Sequence, residues 1–165
     1  MEKLLIITLL AWSMAGCSPT SEPIAFGMDA CHFCKMGIVD KQFGAEAVTK
    51  KGRVYKYDAL ECLINDLCEN TELEKQNIFI LMAVNYDDPG KLIELNRSFV
   101  LKSKSIPSPM GMNLSVYKSE DLAVQRQEIS GGIVYRALDV IDEIHYKDKF
   151  QEEHCYPDNS PNNHD

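Results

Sequence analysis

Basic residues are scarce in this 165-residue chain: 17 Lys and Arg face 25 Asp and Glu, for a net charge of −8. That balance argues against nucleic acid, whose phosphates reward a basic face. A membrane-spanning segment is missing from the mature chain, since the apolar run Leu4–Trp12 is too short to cross a bilayer as a permanent anchor. A second Cys-x-x-Cys to match Cys31–Cys34 is also missing, so paired thiol motifs do not complete a closed tetrahedral zinc site. With 45% hydrophobic residues, the chain falls into neither the fibrous nor the disordered class, and its length suits one domain or two small ones sharing a core.

The N-terminus reads as targeting. Lys3 precedes the apolar run, and Met14-Ala15-Gly16-Cys17 places small residues before a cysteine, which resembles a bacterial lipobox. Residues 1–16 are therefore expected to be a signal peptide, and Cys17 the lipidated mature N-terminus. The alternative is ordinary cleavage near Gly16 that leaves Cys17 a free thiol. Acyl chains would anchor the protein. Residues 17–27, with Ser18-Pro19-Thr20-Ser21-Glu22-Pro23, would form a short tether. Ser18 after the lipidated cysteine favours the outer over the inner membrane.

The remaining pattern is α+β. Phe43–Lys50 and Arg53–Tyr57 flank Lys51-Gly52 as a β-hairpin. Asp58, with Glu61 three residues on, is expected to cap a helix whose core face carries Leu60, Leu63, Ile64, Leu67 and Cys68. Ile78–Val84 is continuously apolar, as in a strand covered on both faces. Strands at Leu92–Leu95 and Phe99–Lys102 follow, then a Pro-rich loop from Ile106 that passes into a strand ending at Tyr117, and a helix opened by Ser119. Gly132–Arg136 followed by Asp139 and Ile141 echoes Gly52–Lys56 followed by Asp58 and Leu60, once one residue is inserted. This echo suggests a degenerate duplication of a small α/β unit, with lobes of about 28–88 and 89–153. Residues 154–165 are polar, lack a periodic apolar face and are expected to be a disordered tail.

Chemistry concentrates in Met28-Asp29-Ala30-Cys31-His32-Phe33-Cys34-Lys35-Met36, with two thiols, two thioethers and an imidazole in nine residues. Soft thiolate and thioether ligands select Cu(I) over Mg²⁺ or Ca²⁺. Cys31 and Cys34 could instead form a disulfide or a thioredoxin-like redox pair. Against the redox role, Gly37-Ile38-Val39 reads as extended chain, whereas redox pairs open a helix. Met36 flanks the thiols closely and is the better thioether candidate there, and Met28 the weaker one. In the Pro-rich loop, Met110 and Met112 could be core filler or, held by Pro107 and Pro109, metal-binding. Cys62 and Cys68, six apart on the helix, do not share a face well and read as a buried small hydrophobe and an edge thiol.

His32-Phe33-Cys34-Lys35-Met36 and Pro109-Met110-Gly111, on a small lipoprotein with two strand–helix units, resemble the NosL family over most of the mature chain. The resemblance implies two similar ββαβ modules after the signal peptide and tether, and Cu(I) bound by Cys34 with Met110 brought in from the second lobe. Met36 and His32 are further candidate ligands, while Cys31 matches a cysteine found in a subset of members. It also implies a non-enzymatic, periplasm-facing copper chaperone that serves nitrous oxide reductase and its maturation machinery in denitrification. Met112 and the tail bearing His154, Cys155 and His164 depart from that pattern. The rival functions are a thiol-disulfide oxidoreductase using Cys31 and Cys34, and a zinc-stabilised interaction module.

Overall fold

β1 (Ala45–Thr49) and β2 (Val54–Tyr57) pair antiparallel across a turn in which Gly52 takes φ 79°. A residue with a Cβ would be strained by about 1–2 kcal/mol in that conformation, so the glycine sets the hairpin. The structure, a computed structural model, describes residues 18–142. The expected signal segment, Cys17 and the polar tail lie outside the described residues. No helix among them is long and apolar enough to cross a membrane.

Helix α1 (Leu60–Glu69) follows β2 directly and packs on β1 and β2 while also touching the second half of the chain. Leu60, Leu63, Ile64 and Leu67 are all buried, each contributing roughly 1.5–3 kcal/mol. Two details differ from expectation. Ala59, not Asp58, is the N-cap residue, and no side chain bonds the first turn. Asp58 is itself buried with Oδ1 unpartnered, because the thiol-bearing loop and the helix close over it. The helix is also buried nearly all round, with Glu61, Asn65 and Asp66 inside as well.

β3 (Ile78–Val84) pairs with β1, and β4 (Leu92–Glu94) adds to its other edge, which gives an antiparallel sheet of order β2-β1-β3-β4. Since β4 belongs to this first sheet, the sheet extends past the expected lobe division at residues 88 and 89. β3 is not covered on both faces: only Ala83 and Val84 are buried, and Phe79 is exposed.

The second sheet comprises β5 (Phe99–Lys102), β6 (Leu114–Tyr117) and β7 (Ile133–Arg136) in the order β6-β5-β7. Helix α2 (Glu120–Ser130) links β6 to β7, and Gly131 (φ 65°) ends it as an αL-type stop. Each sheet therefore contains one ββαβ unit with the same strand order, and the α+β duplication stands. Its register differs from the echo in the sequence. β2 corresponds to β6, so Tyr57 corresponds to Tyr117, whereas the Gly132–Arg136 stretch contains β7, the counterpart of β3. The echo misleads because any half-buried strand favours the same β-branched and aromatic residues.

One core cluster spans both units, beside a smaller one of Phe43, Leu101, Ile106, Tyr117 and Ala123. The larger cluster contains Ala45, Leu63 and Val84 together with Val100, Leu114, Val116, Ala137 and Val140, the last two from a helical segment at 137–142. Backbone contacts reinforce the junction, with Tyr86 N–H donating to the Val116 carbonyl at 2.8 Å.

Candidate metal centre

The segment before β1 is a narrow loop stitched to itself by backbone bonds. Gly27 donates to Ile38, Ile38 to Asp29, and Cys31 to Met36, at 2.7, 2.9 and 2.7 Å. Between the two cysteines the chain turns back, with Lys35 N–H donating to the Cys31 carbonyl at 3.0 Å. Lys35 holds φ 65° there, an uncommon conformation for a residue with a side chain, and its ammonium donates to the His32 carbonyl. The loop is fixed to β2 by the His32 N–H on the Lys56 carbonyl at 2.7 Å, and by Lys56 Nζ on Asp29 Oδ2 at 2.9 Å. These bonds carry Cys31 and Cys34 onto the start of α1.

Cys62 meets them there. The Sγ atoms of Cys31, Cys34 and Cys62 lie within 4.8 Å of one another. Cys31 and Cys62 are buried and Cys34 is half-buried, so the cluster has one side towards solvent. A trigonal metal with bonds of about 2.3 Å needs sulfurs roughly 4 Å apart, a spacing that small side-chain adjustments reach from here. No fourth His, Cys, Asp or Glu joins the group among the described residues.

The thiols are electrostatically unequal. Cys31 is pushed down from 9.0 to about 5, chiefly by the hydrogen bond from the Cys62 thiol, with help from the backbone N–H groups of Asp58 and Cys34 and against the cost of burial. Cys62 moves up for the reciprocal reason, since it donates to Cys31 and sits beside its charge, and burial adds to this. Cys34 is raised mainly by burial. One thiolate with two donating thiols is thus preorganised, and a soft cation entering the cluster replaces the shared protons.

Cys62 is the residue that sequence reasoning missed. Its spacing of six from Cys68 does not bring the two side chains to one helical face, so the pattern alone reads as a buried small hydrophobe and an edge thiol. The partner it finds is on another element. The signal was available: Cys62 stands in the first turn of a helix that follows a strand directly, a junction at which functional thiols are commonly placed.

The other expected ligands are distributed unevenly. His32 lies outside the thiol cluster. Its Nδ1 contacts Asp66 Oδ2 at 2.9 Å and its ring packs edge-on against Tyr55, with centroids 4.6 Å apart. Asp66 also accepts from Tyr57 Oη at 2.6 Å, so the imidazole is tied into a buried polar network beneath the loop. Met36 is about half exposed and Met28 almost fully so. Met110 and Met112 are in the loop before β6, and both pack, with Cys34 and Phe33, against the core cluster that contains Cys31 and Cys62.

The NosL family profile matches residues 25–145. The chain belongs to the NosL family. A solved structure described as the copper chaperone NosL from Shewanella denitrificans superposes with a TM-score of 0.60 at 19% identity, covering 72% of this chain and 93% of that one. At that identity the likeness establishes the fold alone. No curated protein matches the sequence.

Proposed function

We propose that this NosL-family protein is a non-enzymatic Cu(I) carrier that loads copper at Cys31, Cys34 and Cys62 and passes it to an acceptor. The observation that carries the reading is the three-sulfur cluster, with sulfur atoms within 4.8 Å of one another. Three soft thiolate donors suit Cu(I), while zinc would want a fourth ligand. The name of the Shewanella protein supports the same cargo. Met110, packed on the same core, serves as the thioether that completes or exchanges the site. Met36, on the exposed side of the loop, is a weaker helper, and His32 acts through its contact with Asp66. An incoming sulfur ligand from the acceptor adds on the side of the half-buried Cys34 before a resident ligand leaves, so free ion is avoided. Family membership supports nitrous oxide reductase, with its maturation machinery, as the acceptor system. It also supports a periplasm-facing lipoprotein anchored at Cys17, and Ser18 after that cysteine is the ground for favouring the outer membrane.

The test is anaerobic Cu(I) titration of the reduced protein against a competing chelator, beside Cys34→Ser, Cys62→Ser and Met110→Ile. Both serine variants are expected to lose affinity by at least tenfold, roughly the lower bound seen when groups merely supporting a metal ligand are removed. Wild-type affinity in both would overturn the assignment. A thiol-disulfide oxidoreductase is the second reading, favoured by the lowered Cys31 pKa and by the place of Cys62 at a helix start. Rapid exchange with a protein disulfide, combined with no copper retention, would favour that reading.

A further inference from the structure

We infer that Glu61 is a positioning residue of the copper site, fixing the Met110 loop of the second unit to the helix that carries Cys62. The inference rests on the proposal that Met110 is the thioether ligand. Glu61 immediately precedes Cys62 in α1 and is fully buried. Its Oε1 accepts from Ser108 Oγ and from Leu114 N–H at 3.4 Å, residues 47 and 53 positions away. Ser108 Oγ in turn accepts from Asn113 N–H at 2.8 Å, and its carbonyl accepts from Gly111 N–H at 3.1 Å. A single carboxylate oxygen therefore holds both ends of the turn whose apex is Met110. Left-handed backbone at Gly111 and Asn113, φ 83° and 62°, keeps that turn tight.

Apolar packing alone does not set the position of this turn. Glu61 and Asn65 stand at i and i+4 on one face of α1, and Asp58 lies just before its N-cap. Asp58 Oδ1, Glu61 Oε2 and both side-chain amide atoms of Asn65 are buried with no partner within the protein. A buried carboxylate is a costly way to fill space, whereas a directed bond locates a loop to within a fraction of an ångström, as a metal ligand requires. Because Glu61 and Cys62 are neighbours in one helical turn, the route from the thiolates to Met110 is short: Cys62, Glu61, Ser108, Met110. Groups that orient metal ligands in this way typically change affinity by roughly ten- to a hundredfold when removed.

The experiment measures Cu(I) affinity by chelator competition and sulfur coordination by X-ray absorption, in the full-length reduced protein. Ser108→Ala and Glu61→Leu are expected to weaken binding as much as Met110→Ile does, by roughly tenfold or more, with loss of one sulfur scatterer. Glu61→Gln, which retains an acceptor oxygen, should bind near wild type. In a double-mutant cycle, Ser108→Ala should cost nothing further once Met110 is Ile, because both substitutions remove the same ligand. Wild-type coordination in Ser108→Ala and Glu61→Leu, or losses that multiply with Met110→Ile, would overturn the inference. So would a Met110→Ile variant that binds as wild type. Cys34→Ser separates the two levels. Lost binding there with an unmoved Ser108→Ala sinks only the positioning role, while retained binding sinks the copper site itself.

Discussion

Replacing Cys62 isolates the hydrogen bond that holds Cys31 as a thiolate. Cys62→Ala removes the donor outright, while Cys62→Ser keeps a hydroxyl of similar size in its place. A hydrogen bond to a charged group contributes about 1.5–3 kcal/mol, and 1.36 kcal/mol corresponds to one pKa unit, so the alanine variant should raise the Cys31 pKa by about one to two units. The serine variant should raise it by clearly less. The sign for stability follows. A thiol lowered from 9.0 to about 5 stabilises the fold fully above its unfolded value, and this contribution is lost as pH falls through that window. Cys62, raised above its ordinary value, contributes no slope below 9.0. The reduced apoprotein should therefore lose stability from pH 9 towards 5, and the loss should be smaller in Cys62→Ala. Thiolate ultraviolet absorbance against pH measures the titration, with chemical denaturation at each end of the window. An unmoved titration in Cys62→Ala, or equal displacement in both variants, would refute the assignment of the thiol donor as the cause.

Two further predictions concern the frame around the site. At Gly132 (φ +105°) a Cβ would lie 2.3 Å from the Lys102 carbonyl oxygen, so Gly132→Ala should cost about 3 kcal/mol or more by urea unfolding. Gly52→Ala, strained in φ but with open space around it, should cost only about 1–2 kcal/mol, and equal losses would show that the steric contact is not the cause. Burial raises the Glu61 pKa above 4.5, which makes its contribution to stability present below that value and lost as pH rises through the raised one. Glu61→Gln should therefore gain stability over wild type at neutral pH and match it in acid, and a melting-temperature difference independent of pH would contradict this.

Elements were legible in the sequence wherever local physics decided them. Gly52 marks the first hairpin, the Leu60–Leu67 spacing gives α1, and the Pro-rich loop from Ile106 marks the break before β6. Boundaries governed by tertiary closure were not legible. Asp58 has the composition of a cap, yet it is buried beneath the thiol loop with one oxygen unpartnered. The sulfur stretch identified Cys31 and Cys34 as members of the centre but could not supply the third sulfur. Helical spacing compares Cys62 only with its own helix, whereas its neighbours arrive from a loop some thirty residues earlier. The role of Glu61 was hidden for a related reason. Its carboxylate faces Ser108 and Leu114 of the second unit rather than water, and which face a unit shares with its duplicate is not written in either copy alone.

The two copies also explain why the centre is asymmetric. In the first unit β1 and β2 are joined by a tight turn between Thr49 and Val54, whereas the equivalent connection in the second unit runs from Lys102 to Leu114. The longer connection has enough chain to cross to the first unit and bond Glu61, bringing Met110 onto the shared core. Conversely, the strand-to-helix junction that carries Cys62 in the first unit is Tyr117-Lys118-Ser119-Glu120-Asp121-Leu122 in the second, with Leu122 where the first has the sulfur. Neither unit holds both halves of the proposed ligand set. One contributes three sulfurs, a thiolate and two thiols gathered where a loop meets a helix start, and the other a thioether on an extended hairpin. Under the proposed function, a site divided in this way would weaken its hold on copper when the hairpin is displaced, while the three-cysteine cluster stays folded.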